Sequence, residues 1–351
     1  MLTVRHFIAG IMVCAVASGA FALLGLAYAA LIGGHELFGT IAGAVIALPI
    51  AAFEVFVVQG RIGNRLRRLP LWAMMLISTG VWVVSIVAGI LFLTPIILNQ
   101  EPLTPWVVHT YIKGEFLQDA IFCLIVALML NFSIRIHSLV GARVLLNFLL
   151  GRYHRPLREQ QVFMFVDVLD ARGMANRLGD IRAQSLIAAV FFDIDGPVGE
   201  FRGETHRYIS DELVVTWPFP RGVGDARCVK CALAIGALLR ARSEHYRKVF
   251  GEAPRLRIAL HGGPVVVSEI GDDRREIVYF GDTINTTARL RGLAKKIGRE
   301  LLVSAELLGH MHLPHDVRAE DMGSFALSGK ARETRVCAVH PVEEATVAAG
   351  A

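Results

Sequence analysis

His206-Arg207-Tyr208-Ile209-Ser210-Asp211-Glu212-Leu213-Val214-Val215-Thr216-Trp217 is the segment around which the second half of the chain is built. Two runs rich in β-branched and aromatic residues flank a short polar break, the pattern of a β-hairpin with an acid at its turn. An Asp in a turn is ordinary turn chemistry, because its side chain hydrogen-bonds nearby backbone. It becomes a candidate metal ligand only if a second acid is brought beside it.

The second acid stands 44 positions earlier, in Phe163-Met164-Phe165-Val166-Asp167-Val168, an apolar strand with a carboxylate near its end. Residues where a strand meets a loop are placed to reach a ligand. Two adjacent carboxylates repel unless a cation neutralises them. Hard oxygen donors with few His or Cys nearby favour Mg²⁺ or Mn²⁺ bound together with a substrate phosphate. Two such ions clamp the attacking and leaving oxygens in phosphoryl transfer. Further on, Gly281-Asp282-Thr283-Ile284-Asn285-Thr286-Thr287-Ala288-Arg289-Leu290 places Asn285 and Arg289 four apart, on one face of a helix. An amide that orients a sugar and a guanidinium that stabilises phosphate charge belong together in such chemistry.

Around these motifs, residues 161–342 alternate between strand and helix patterns. Strands are expected at 162–168, on both arms of the hairpin, and at 255–261, 265–268, 277–280, 301–303 and 334–340. Gly262-Gly263-Pro264 reads as the turn joining two of them, and helices are expected at 171–190, 225–248 and 282–297. The sum is an α+β or α/β layer of helices on a mostly antiparallel sheet. Cys228 and Cys231 form a CxxC on a helical pattern without a second Cys or His pair, so they read as packing residues rather than a zinc site.

The first half is different. The chain is 54% hydrophobic with a mean hydropathy of +0.51, too apolar for a purely soluble protein of this length. Four apolar segments, at about 7–31, 40–58, 71–98 and 117–132, read as membrane spans, so residues 1–137 form a four-helix membrane domain. Arg61, Arg65, Arg67 and Arg68 follow the second segment, and Arg135, Arg143 and Arg152 follow the fourth. The other links carry His35, Glu36, Glu101, Lys113, Glu115 and Asp119. The positive-inside rule then puts both termini and the second half in the cytoplasm, with the protein multi-pass in the cell inner membrane. Much of the basic balance, a formal charge of +5, is juxtamembrane Arg, so nucleic acid is not an expected partner. Glu54 falls inside the second segment, and Gly39-Thr40-Ile41-Ala42-Gly43 fits a GxxxG packing motif. Residues 138–160 carry apolar residues at helical spacing and read as an amphipathic linker helix, while 343–351 read as a disordered tail.

Residues 161–342 resemble the class III nucleotidyl cyclases, the adenylate/guanylate cyclase family, in its membrane-anchored bacterial form. Phe165-Val166-Asp167-Val168 resembles the first metal motif and Ile209-Ser210-Asp211 the second. Arg257-Ile258-Ala259-Leu260-His261-Gly262-Gly263-Pro264-Val265-Val266-Val267 resembles the central strand-turn-strand, and Gly281-Asp282-Thr283-Ile284-Asn285 with Arg289 the transition-state segment. The resemblance implies a ferredoxin-like α+β catalytic domain acting as an adenylate cyclase in signal transduction. ATP would give 3′,5′-cyclic AMP and pyrophosphate. Asp167, Asp211 and the Val168 backbone would hold two Mg²⁺ or Mn²⁺. Asn285 would orient the ribose and Arg289 would stabilise the phosphorane. The family builds this site at a head-to-tail interface, so a homodimer is implied, with the bilayer and ATP as the other partners.

Several positions depart from the family pattern. Arg207 stands where adenylate cyclases carry the base-reading Lys, and Val278 where they carry Asp or Thr, which leaves GTP as an alternative substrate. Ser328 replaces the Lys that grips the terminal phosphates, with Lys330 two positions on as its substitute. Ser210 and Asp170 replace family glycines. The competing readings are a guanylate cyclase, a diguanylate-cyclase-like enzyme lacking its Gly-Gly, and a membrane receptor with an inactive cyclase-like domain.

Overall fold

The structure, a computed structural model, describes residues 2–32, 36–58, 69–98, 116–140, 152–272, 275–327 and 333–342. The chain divides into two compact units, Met1–Leu146 and Asn147–Ala351.

The first unit is helical: α1 (Leu2–Ile32), α2 (Glu36–Ala52), α3 (Leu71–Leu98) and α4 (Phe116–Val140). Three of these helices are long and apolar enough to cross a membrane. The fourth apolar segment is a 25-residue helix, but its apolar stretch, Ile121–Ser133, is shorter than a full span. Helix α2 contains Pro49 and continues as a π-helical turn, Phe53–Val58, that carries Glu54. Proline removes one backbone donor from the helical ladder, and π turns accommodate such irregularities. The GxxxG reading agrees with the packing: a Cβ on Gly39 would sit 2.3 Å from the Gly25 carbonyl oxygen, and one on Gly43 2.2 Å from that of Phe21. Helices α1 and α2 therefore touch backbone to backbone, as small residues permit. Asn131 of α4 donates to the Thr79 hydroxyl of α3 at 2.9 Å.

The second unit contains β1 (Leu157–Val168), α5 (Ala171–Leu178), α6 (Asp180–Glu200), β2 (Glu204–Ile209), β3 (Glu212–Pro218), α7 (Phe219–Val223), α8 (Arg227–Ala241) and α9 (Ser243–Phe250). It continues with β4 (Leu256–Ile270), β5 (Glu276–Phe280), α10 (Asp282–Ile297), β6 (Leu301–Ser304), α11 (Ala305–Leu308), β7 (Val317–Phe325) and β8 (Thr334–Pro341). The sheet order is β2-β3-β1-β4-β6-β8-β7, with β5 paired to β4. Among the described residues only the β4–β6 pair is parallel, so the mostly antiparallel expectation holds.

Val162, Met164, Val166 and Val168 pack on one face against α6 and α8. Phe163 and Phe165, on the alternate face, lie with Val214, Val265 and Val267 beneath Ile284 and Ala288 of α10. This is the period-2 alternation of a strand buried on both faces.

The structure corrects several boundaries. Gly262-Gly263-Pro264 is not a turn; it lies inside the single long strand β4. The glycines serve close approach instead: a Cβ on Gly262 would meet Leu307 and Phe219 at 2.9 Å, and one on Gly263 would meet the Thr283 hydroxyl at 2.9 Å. The helix expected at 171–190 is two helices hinged at Gly179, whose φ of 81° ends the first. The one expected at 225–248 breaks at Arg242. Of the linker helix expected at 138–160, residues 138–140 end α4 and 157–160 begin β1, while 141–151 lie outside the described residues. The tail at 343–351 also lies outside them.

Candidate active site

Strand β1 delivers Asp167 one residue before its end, and the two-residue turn between β2 and β3 delivers Asp211. The turn is tight because Ser210 adopts φ 55°. Hairpin turns of this length favour a residue able to take positive φ, normally Gly. Asp170, the other family-glycine position, is also left-handed, at φ 59°. The Val168 amide donates to the Asp211 carbonyl at 2.9 Å and fastens the end of β1 to the hairpin. Asp167, Val168 and Asp211 thus line one cleft of about 620 Å³.

The register across the sheet adds residues that the motifs did not. Glu212 of β3 lies directly opposite Asp167, and so does Arg257 of β4 on the other side. Opposed residues of antiparallel strands project to the same face, so a row runs Glu212, Asp167, Arg257 across the cleft floor. Arg257 is buried, with its Nη1 3.6 Å from Asp167, and its Nε has no hydrogen-bond partner. Arg291 of α10 closes on Glu212 as an ion pair, and Lys295, one turn further, lines the same cleft. Burial pushes the Asp167 carboxyl above its ordinary value; Arg291 opposes this, the charge of Asp211 adds to it, and Arg257 and Lys295 pull back. A charged residue in an otherwise apolar strand was the signal for Arg257, because a buried charge needs a partner. The spacing of Arg291 and Lys295, four apart, was the signal for the helix face.

The donor set fits hard divalent cations. Two facing carboxylates repel, and a cation relieves both that repulsion and the burial of Asp167. Among the described residues no group of three or more His, Cys, Asp or Glu side chains is placed to hold a metal alone. Ions held here would therefore complete their shells with backbone oxygen, water and substrate phosphate, as Mg²⁺ does.

Asn285 and Arg289 are not brought to the carboxylates of their own chain. The cleft is lined from α10 by Arg291, Gly292 and Lys295. At 3.6 residues per turn, the Asn285/Arg289 pair is rotated about 120° from the Arg291/Lys295 pair. Asn285 is exposed, and Arg289 lies 3.8 Å from Asp282, with its Nη1 lacking a hydrogen-bond partner.

Arg207 forms an ion pair with Glu276 of β5. Val278 follows two residues later on the same side of that strand. The neighbouring His206 packs edge-on to Tyr279 at 4.8 Å, and burial and the Arg207 charge pull its pKa down to about 4. Glu276 was not singled out from sequence. Ser328, Gly329 and Lys330 lie outside the described residues. Cys228 and Cys231 are free and buried in the core, with burial pushing the Cys228 thiol up to about 12, which agrees with a packing role.

Residues 156–339 match the family model described as the adenylate and guanylate cyclase catalytic domain. The chain is 35% identical over 318 residues to "Adenylate cyclase 2" of Rhizobium meliloti (strain 1021), covering 89% of this chain and 86% of that protein. It is 24% identical over 172 residues to "Receptor-type guanylate cyclase gcy-28" of Caenorhabditis elegans, covering 48% of this chain and 13% of that one. A solved bacterial light-regulated adenylyl cyclase superposes with a TM-score of 0.52 at 17% identity, covering 61% of this chain and 64% of that chain, and so shares the fold. A family model that spans the whole sheet and a relative aligned through both units agree: the chain belongs to the class III nucleotidyl cyclases and is a nucleotidyl cyclase.

Proposed function

We propose that the chain is a membrane-bound adenylate cyclase, working as a homodimer with two shared sites. The observation that carries this reading is the division of the catalytic groups. Asp167 and Asp211 share a cleft with Arg257, Arg291 and Lys295, while Asn285 and Arg289 lie about 120° around α10 from that cleft. A second chain in head-to-tail arrangement would present its Asn285 and Arg289 to these carboxylates. Val266 and Phe280, cross-strand neighbours and both exposed, fit a surface that such a partner covers.

In this reading Asp167, Asp211 and the Val168 carbonyl hold two Mg²⁺ or Mn²⁺. Bound there, the ions make the ribose 3′-hydroxyl more acidic and offset phosphate charge. Arg257 and Lys295 bind the polyphosphate of ATP and hold it in line for attack at the α-phosphorus. Asn285 of the partner chain positions the ribose, and its Arg289 meets the charge that grows on the α-phosphate. Pyrophosphate leaves, and Lys330 is the candidate to hold its terminal phosphate. Arg207 and Glu276 offer a donor beside an acceptor, with Val278 as an apolar wall, for the purine edge. That pairing suits either purine; the choice of ATP rests on the similarity to a protein named adenylate cyclase. Four spans, with the fourth formed by α4, place both termini and the cyclase unit on the cytoplasmic side of the inner membrane.

The test is product analysis of the purified full-length protein with Mn²⁺ and either ATP or GTP. Cyclic AMP as the dominant product, lost in Asp211→Ala, supports the proposal. Cyclic GMP as the dominant product replaces it with a guanylate cyclase, and full activity in Asp211→Ala removes the metal assignment.

A further inference from the structure

We propose that Glu212 and Arg291 are a positioning pair that couples the two ends of the shared site. By fastening α10 to the carboxylate hairpin of its own chain, the pair sets where Asn285 and Arg289 of that helix stand in the neighbouring site. The inference rests on the homodimer reading above.

Glu212 is an unusual residue for its place. It is buried, follows Asp211 directly, and faces Asp167 across the β1–β3 pairing, so it adds a third negative charge to a crowded floor. Such a group persists only if a cation neutralises it. That cation is Arg291, which reaches down from α10. The ion pair is therefore a fixed joint between the start of β3 and the middle of α10. Apart from the Thr283 hydroxyl, which donates to the Pro264 carbonyl of β4 at 2.7 Å in the first turn, the remaining contacts of the helix with the sheet are apolar: Ile284 and Ala288 on one cluster, Leu290 and Ala294 on another. Apolar contacts are non-directional and resist separation more than rotation, whereas an ion pair fixes one azimuth. A 16-residue helix turns as a unit. Any rotation that takes Arg291 off Glu212 swings Asn285 and Arg289 through the same angle, and catalysis tolerates little misplacement of that kind.

The experiment uses mixed dimers of full-length, differently tagged chains. One chain carries Asp167→Ala and supplies only Asn285 and Arg289; the other carries Arg289→Ala and supplies only the carboxylates. Glu212→Gln is then added to the Asp167→Ala chain alone, whose own carboxylate cleft is already dead. The proposal expects kcat of the single working site to fall about tenfold, with KM changed far less and the Mn²⁺ dependence within about twofold, since the carboxylates, Arg257 and Lys295 of the working cleft lie on the other chain. Reversing the pair in that chain (Glu212→Arg with Arg291→Glu) should recover most of the loss. An unchanged kcat would overturn the proposal and confine Glu212 to its own cleft. If the Glu212→Gln chain does not assemble, the reversed pair decides: recovered activity supports the coupling, and an assembled but slow dimer overturns it. An inactive parent mixed dimer would instead count against the shared-site reading, and this inference would fall with it.

Discussion

Acidification should destabilise the cyclase unit through His206. This imidazole sits beside Arg207 and edge-on to Tyr279, and its folded pKa lies near 4 against an ordinary 6.5. Above pH 6.5 it is neutral in both the folded and the unfolded chain, and its contribution to the pH dependence is nil. As pH falls from 6.5 towards 4 the unfolded chain takes up a proton that the folded chain refuses, so stability is lost across that window. The gap sets a ceiling of about 3 kcal/mol. Because His206 is partly exposed, solvent screening reduces this to about 2 kcal/mol. For a unit of this size that is a drop of about 4–8 °C in midpoint. The assay is residual cyclase activity after heating at pH 7.5 or pH 5.0 and return to pH 7.5, for wild type and His206→Gln. Because pH 5.0 covers only about three-fifths of the interval from 6.5 to 4, wild type should lose about 2–5 °C more than the variant between the two conditions. Equal losses would refute the argument that His206 is held neutral by burial.

In the membrane unit, Gly43→Val should lower the thermal stability of the solubilised protein by about 1–3 kcal/mol, because its Cβ would press on the Phe21 carbonyl; Gly80→Ala, with open space around it, should change nothing. Ser210→Gly relieves a left-handed serine at the hairpin and should raise stability by about 1 kcal/mol in a melting experiment; a lower midpoint would show that the serine makes a compensating contact. Arg257→Ala should cut kcat/KM about a hundredfold, since it removes a cation from both the carboxylates and the polyphosphate. Kinetics indistinguishable from wild type would place Arg257 outside the chemistry.

What was legible in the sequence was the part governed by local pattern. The unbroken apolar run at 163–166 marked the strand, and α10 fell at the expected bounds because Gly281 and Gly298 bracket a periodic run. What was not legible was long-range register. Gly262-Gly263-Pro264 looks like a turn to any local rule, yet its glycines make room for Phe219, Leu307 and Thr283, which come from other elements. The row Glu212, Asp167, Arg257 is likewise a property of strand pairing, not of spacing. The ion pair of Arg207 with Glu276 of β5 is another product of strand pairing that no local pattern announces. The fourth apolar segment was read as a span; its helix forms, but with a shorter apolar core than the other three.

If one chain's carboxylates work with the other chain's Asn285 and Arg289, mixing two inactive variants restores activity. Asp167→Ala and Arg289→Ala chains, each inactive alone, should together recover about a quarter of wild-type activity per chain, because half of randomly assorted dimers are mixed and each has one intact site of two. Mixed dimers that are isolated through two tags and remain as inactive as their parents would contradict the shared site.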